Sequence, residues 1–443
     1  MLRVAIVGAG ATGLSAAYDL VQKGIEVHLY EAGTEVGGLA AGFRDEGWDW
    51  SLEKFYHHWF ANDESVLNLV KELGAGDKLI FRKPYSSFRH GSKNYSAYRP
   101  NTVVAGLRLP LSWPSKIRFG LAGLYLKFFK NWMPMERVTA EAWLLRYMGN
   151  EAYETLWKPA LIAKFGPYYN QVNMAWLWAR IYKRTPSLGT FEGGFQAFLE
   201  LLANWIKNQG AEIHLNSPVQ RIERSAEGRM VVSVGDQQET FDAVLFTSSP
   251  QMLVRLAPDL PAEYGTKLGA LKSSGAVVVI LALKQQLLTD DTYWLALPAS
   301  DPNNKSNGEF PFLALIEHTN YMDRSHYGGD HLVYCGDYVP ADHEYFSLSD
   351  DELAARFMGA LPKLNPGFSP DWVRKRWVFR TKYAQPIPFV NHSKLLPEER
   401  TPVQGLYLAS MSQVYPWDRG TNYSVEMGRR VAGLIVQDLG QRS

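Results

Sequence analysis

Glycines at positions 8, 10 and 13, followed by a carboxylate at Glu31, are the first residues whose types and spacing point to chemistry. In G-x-G-x-x-G, Gly8 allows a tight turn, Gly10 removes the Cβ that would block a pyrophosphate, and Gly13 lets a helix pack closely on a strand. Ala11 and Thr12 lie between them, where the free N–H groups of a helix N-terminus attract an anion. Glu31 stands eighteen residues after Gly13; its carboxylate can accept from ribose hydroxyls and would repel a 2′-phosphate, so NADP is disfavoured. A second group carries protons or charge. His57 and His58 titrate near neutral pH, and one of them could move a proton, although adjacent histidines also serve to satisfy buried carbonyls. Arg180 and Arg184 are one helical turn apart, and in an extended strand Arg374, Arg376, Arg380 and Lys382 share a side. Arg180 and Arg376 are the expected anchors for an anionic substrate, the alternative being two solvated faces.

The elements that must position these residues are legible beside them. Val4–Val7 is a short β-branched run that reads as a buried parallel strand. Leu14, Ala17, Tyr18, Leu20 and Val21 recur at helical spacing up to Gly24, and Glu26–Tyr30 forms the next strand. This strand, turn, helix and strand are the context in which the glycine pattern is meaningful. Further strands are predicted at Glu212–Leu215, Ala276–Leu283 and Trp372–Tyr383, and a helix follows Gly193-Gly194 and ends at Gly210.

With 443 residues and a net charge of +1, the chain has room for two or three domains and no general affinity for nucleic acid. Cys335 is the one cysteine, which excludes an intramolecular disulfide and a multi-cysteine metal site. No metal is expected. An early strand leaves no room for a signal peptide and no apolar run reaches the length of a membrane span, so a cytoplasmic location is expected. The stretch at 113–133 interleaves Lys116, Arg118, Lys127 and Lys130 with Trp113, Leu121, Leu124, Phe128 and Trp132. This composition suits either a helix lying at a bilayer surface or an internal helix with solvated lysines.

Just past Glu31 comes Gly37-Gly38-Leu39-Ala40, a second glycine pair that a plain nicotinamide dehydrogenase does not need. Here the chain resembles the FAD-dependent amine oxidase superfamily, in the branch holding protoporphyrinogen oxidases, phytoene desaturases and UDP-galactopyranose mutases. The likeness returns at GGFQAFLELLANWIKNQGAEIHLNSPVQRIE and at GLYLASMSQVYPWDRGTNYSVEMGRRVAGLIVQDL. It implies a fold of mixed α/β and α+β class. A Rossmann-like FAD domain of the glutathione-reductase type would be assembled from 1–60, 188–265 and 400–443, with an intertwined substrate domain of helices and a mixed sheet from 61–187 and 266–399.

The resemblance also implies site residues. Glu31, Ala32 and Gly37 to Ala40 would line the cofactor, Val219 would set its backbone against the adenine, and Ser248 would stand in a loop beside it. Where many members carry Gly-Asp, this chain has Ala409-Ser410-Met411, so the hydroxyl of Ser410 replaces a carboxylate. Gly420, Thr421 and Asn422 begin a helix whose N–H groups would face the flavin, with His57 and His58 near the ring and Tyr415 and Trp417 as an aromatic wall. Lys164 does not fall where amine oxidases hold their flavin-side lysine, which favours carbon–carbon dehydrogenation. The implied activity is an FAD-dependent oxidoreductase passing hydride from an apolar, anionic small-molecule or lipid-like substrate to flavin N5. A non-redox mutase, an amine oxidase and a cofactor-stabilised scaffold are the alternatives. The FAD would be non-covalent, for want of an attachment motif.

Overall fold

The computed structural model describes residues 1–98 and 102–441. Strand Arg3–Val7, helix Ala11–Val21 and strand Glu26–Tyr30 follow one another as the sequence pattern requires. The first strand lies at the centre of a five-stranded parallel sheet, in the order Glu212–His214, Glu26–Tyr30, Arg3–Val7, Ala243–Phe246, Leu406–Leu408. Both faces of this sheet are covered, which is why its strands are nearly continuous apolar runs. On one face the helices Ala11–Val21, Phe195–Asn208 and Thr421–Gly440 share a core with Val4, Ile6 and Leu245. On the other, Ile222, Val232 and Phe241 of a three-stranded antiparallel sheet pack on Ala5, Val244 and Phe246.

A seven-stranded mixed sheet forms the second layer, in the order Val373–Pro386, Ser273–Leu283, His331–Val339, Ala314–Glu317, Thr292–Ala296, Tyr85–His90, Lys93–Tyr98. Strand Ser273–Leu283 is buried on both sides. Val277, Val279 and Leu281 share a core with Leu353, Ala354 and Phe357 of helix Asp350–Met358, whereas Val278, Ile280 and Ala282 join Trp48, Leu52 and Leu332. Helices Trp113–Phe128, Ala140–Tyr147, Lys158–Phe165 and Met174–Lys183 pack around Trp143, Trp176 and Trp178.

Helix Trp113–Phe128 lies at the surface rather than in the interior, although its lysines are solvated as expected, with Lys127 exposed and Lys116 half-buried. Its solvent face is a stripe of Trp113, Ile117, Leu121, Leu124, Tyr125 and Phe128, with Leu121 64% and Phe128 75% exposed. At its flanks Lys116 donates to the carbonyl of Leu107, and Lys127 to those of Tyr182 and Arg184. Among the described residues no helix is long and apolar enough to cross a membrane.

Candidate functional site

The glycine turn has the geometry its sequence requires. Gly8 sits at φ +106°, and a Cβ built on Gly13 would lie 2.0 Å from the Gly8 carbonyl oxygen, so neither position accepts a side chain. Gly10 differs: a Cβ there meets protein atoms no nearer than 3.8 Å, so its lack of a side chain leaves room for something other than the protein. Gly10 also bridges to Gly37, which brings the second glycine pair against the turn. Glu31, at the end of its strand, accepts from the backbone N–H of Ala9 (2.9 Å) and of Gly33 (2.8 Å).

Two helices with uncapped N-termini pack against each other beside this turn. Helices Ala11–Val21 and Thr421–Gly440 start at Gly10 and Gly420, with no side-chain cap and no acidic residue in the first turn. They touch so closely that a Cβ on Gly428 would lie 2.3 Å from the Thr12 carbonyl oxygen. Uncapped first turns leave N–H groups in need of an acceptor and carry positive potential. The side chains of Thr421 and Asn422 are engaged elsewhere: Thr421 accepts from the Trp59 indole N–H (2.6 Å) and Asn422 from the Val66 N–H (3.1 Å). These contacts fix the helix start and leave its backbone as the donor.

Beyond Leu39 a narrow cavity opens, lined by Phe55, Tyr56, His57, Ala276, Val278, Tyr338, Thr381 and Arg419 among others. A second, smaller one is lined by Trp176, His392, Met411, Tyr415, Trp417 and Asp418. Arg419 borders both. Its guanidinium donates to the Tyr338 hydroxyl and lies over that ring, yet its Nε is buried with no hydrogen-bond partner. Burial lowers its pKa to about 10. Beside it, Asp418 pairs with Arg180, accepts from the Trp176 indole N–H (3.2 Å) and lies 4.0 Å from Lys164. Burial would raise the Asp418 carboxyl, but Lys164 and Arg180 hold it below the usual carboxylate value. Burial, reinforced by Arg180, pushes the Lys164 ammonium well below its ordinary pKa despite that carboxylate. Two basic side chains, Arg180 and Lys164, thus flank one carboxylate.

A family model for flavin-containing amine oxidoreductases matches residues 11–436. The chain belongs to that family. It is therefore a flavin-dependent oxidoreductase. Over 468 residues it is 25% identical to a 15-cis-phytoene desaturase of Glycine max, covering 99% of this chain and 80% of the relative. It is 22% identical to the 15-cis-phytoene desaturase of Synechococcus elongatus, covering 100% of this chain and 98% of the relative. A reduced UDP-galactopyranose mutase superposes with a TM-score of 0.76 at 15% identity, covering 99% of this chain and 94% of that one, a likeness of fold.

Within this family member the sequence-derived site residues separate into groups. Gly8, Gly10, Ala11, Thr12, Gly13, Glu31, Gly37 and Gly38 come together with Leu39 and Ala40 around the start of helix Ala11–Val21. Ala32 and Ser248 are exposed nearby, and Val219 begins the strand that follows the edge of the parallel sheet. His57 lines the larger cavity, where burial drops its pKa to about 4; its Nδ1 lies 2.5 Å from the Phe55 carbonyl oxygen. His58 packs edge-on against Phe60 and is driven to about 3. Tyr415 donates to Glu136 (3.1 Å) and Trp417 stacks over Tyr423, so both form a wall of the smaller cavity. Met411 joins them, whereas the Ser410 hydroxyl is fully buried at 2.8 Å from that of Tyr383.

Arg376 is a correction. Strand register places it opposite Leu281, on the face toward helix Asp350–Met358, while Val278 and Phe379 pair on the face toward the cavity. Its guanidinium is exposed and bonded to Asp351 (2.6 Å). Arg380 likewise reaches Asp350, and Arg374 pairs with Asp45 and Asp330. The basic face is neutralised away from the site. Arg180 does reach the site, through Asp418. Sequence reading missed Asp418, Arg419 and Tyr338 as site residues. A signal existed for the first two: adjacent opposite charges between Trp417 and Gly420, directly before an uncapped helix.

Proposed function

We propose that the chain holds FAD without a covalent link and dehydrogenates a carbon–carbon bond of a largely apolar substrate that carries an anionic group. The observation that carries this reading is a cavity walled by Leu39, Phe55, Val278 and aromatic rings that ends on Arg419, whose buried Nε lacks an acceptor. A carboxylate or phosphate would supply one. The relatives that align over nearly the whole chain are desaturases of phytoene, which favours an extended hydrocarbon over an amine.

The residues present fit FAD. Gly10 leaves space where a pyrophosphate would lie, the two uncapped helix starts offer N–H donors for it and for the flavin, and Glu31 stands at the ribose position. When bound, FAD supplies the two-electron acceptor. The chain's own side chains then orient and deprotonate. With Nδ1–H donated to Phe55, His57 keeps Nε2 as a proton acceptor, and its low pKa keeps that atom free at neutral pH. Arg419 and Arg180 hold the anion, and the aromatic wall excludes water.

The test is anaerobic mixing of the oxidised protein with candidate polyisoprenoid and porphyrinogen substrates. Bleaching of the oxidised-flavin band in proportion to substrate consumed is expected; turnover without net reduction would mark a mutase and end the reading. Arg419→Met should weaken binding of an anionic substrate and leave a neutral analogue unaffected.

The stripe on helix Trp113–Phe128 supports peripheral attachment to a bilayer. Six exposed apolar side chains on one helical face, with Lys130 exposed just beyond, are the composition of an interfacial helix.

A further inference from the structure

Glu212 and His28 face each other across the outermost pair of the parallel sheet, and His214 follows on the same face two residues later. Their ligand atoms form a compact triangle. His28 Nδ1 is 3.4 Å from His214 Nε2 and 3.6 Å from a Glu212 carboxylate oxygen, and that oxygen is 3.4 Å from His214 Nε2. Three vertices of a tetrahedron drawn around Zn2+ with bonds of about 2.0–2.2 Å are about 3.3–3.6 Å apart. The protein triangle matches that spacing without rearrangement.

The surroundings complete the pattern. His28 is buried, and its other ring nitrogen, Nε2, lies 2.9 Å from a Glu26 carboxylate oxygen. Donating its proton there leaves the Nδ1 lone pair facing His214 and Glu212, the carboxylate–histidine arrangement that orients metal ligands. Tyr30 stacks on the His214 ring with centroids 4.9 Å apart, which restricts its rotation. Arg3 lies 3.3 Å from His28 Nε2, but it is paired with Glu26 and Glu239, so with Glu212 the neighbourhood holds three carboxylates to one guanidinium. Glu212 is 61% and His214 31% exposed on their side chains, so solvent can deliver an ion and fill a fourth position.

We propose that His28, Glu212 and His214 bind one zinc-class divalent ion, with water as the fourth ligand, and that the ion pins the edge strand Glu212–His214 to strand Glu26–Tyr30. On binding, the Nε2 proton of His214 passes to its own Nδ1, which frees Nε2 for the metal. Nitrogen ligands select zinc, cobalt, nickel or copper over calcium or magnesium. The edge strand runs on into Asn216 and Ser217, whose N–H groups bond to the carbonyls of Gly33 and Glu31, so the ion braces the loop that carries Glu31. No local motif announces the site, because two of its ligands lie more than 180 residues from the third.

Tag-free, flavin-loaded protein stripped with a chelator and titrated calorimetrically with ZnCl2 tests this. One Zn2+ per chain is expected, together with a rise in Tm that EDTA reverses. His214→Ala and Glu212→Gln alter solvent-accessible side chains and should each weaken binding by at least about tenfold. Glu26→Gln, which removes the support of His28, should weaken it by about 10–100-fold. Absence of saturable binding, or binding unchanged in both His214→Ala and Glu212→Gln, overturns the proposal.

Discussion

Gly428→Ala adds one methyl group where helix Thr421–Gly440 crosses helix Ala11–Val21. The new Cβ would lie 2.3 Å from the Thr12 carbonyl oxygen and 3.2 Å from the Ala16 nitrogen. Both are backbone atoms, so no side chain can swing away. Restoring 2.3 Å to the 3.0 Å below which real Cβ contacts essentially do not go moves the helices apart by at least 0.7 Å. Overpacking of this kind costs about 1–3 kcal/mol. The same shift moves helix Thr421–Gly440 relative to the first turn of helix Ala11–Val21, and the proposed cofactor would touch the starts of both. Flavin affinity should therefore fall together with stability. Gly433 is the internal control: it lies on the exposed side of the same helix, and a Cβ there meets nothing within 4 Å. Gly433→Ala should stabilise by about 0.5–1 kcal/mol through helix propensity alone. Denaturant unfolding and the flavin-to-protein absorbance ratio measure both effects. A Gly428→Ala protein with unchanged stability and flavin content would refute the claim that helix spacing sets the cofactor site.

Gly10→Val should fold and yet retain no flavin, because its side chain fills cofactor space; circular dichroism and flavin absorbance report the two separately. Gly13→Ala should lose both, given the 2.0 Å clash with the Gly8 carbonyl oxygen. Between pH 6.5 and about 4 the unfolded chain protonates His57 while the folded one keeps it neutral. This residue therefore makes stability fall as pH drops through that window. His57→Asn should make the decline shallower by up to about 1.4 kcal/mol per pH unit, read from denaturant midpoints. Liposome flotation should recover the wild type with anionic vesicles and not a Leu121→Asp, Leu124→Asp double variant; equal recovery of the two would remove helix Trp113–Phe128 as the anchor.

Much of the cofactor side was legible because its signals are local. Val4–Val7, the glycine spacing and the helical recurrence from Leu14 to Val21 sit within thirty residues, and the strand, helix and strand form where expected. The substrate side was less legible because its residues meet only in space: Lys164, Arg180, Tyr338 and Arg419 come from three distant parts of the chain. Alternation separated Arg376 and Arg380 from Trp377 and Phe379, but a register shift beside Leu283 puts Val373 on the opposite face from the one expected, and the pattern could not say which face the cavity uses. Both faces are covered, and the carboxylates of Asp350 and Asp351 that claim Arg380 and Arg376 begin a helix elsewhere in sequence. For Trp113–Phe128 the amphipathic pattern was visible, but not that its apolar side faces out.

The order of the parallel sheet sets a timetable for synthesis. Strand Ala243–Phe246 is fully buried once its neighbour Leu406–Leu408 is in place, and 160 residues separate Phe246 from Leu406. At roughly 5–20 residues per second, the ribosome leaves that apolar edge without its partner for about 8–30 s. During that interval its unpaired N–H and C=O groups are a template for any other nascent strand. Chaperone occupancy should peak after residue 246 emerges and end when residue 408 does, so flavin loading belongs to the completed chain.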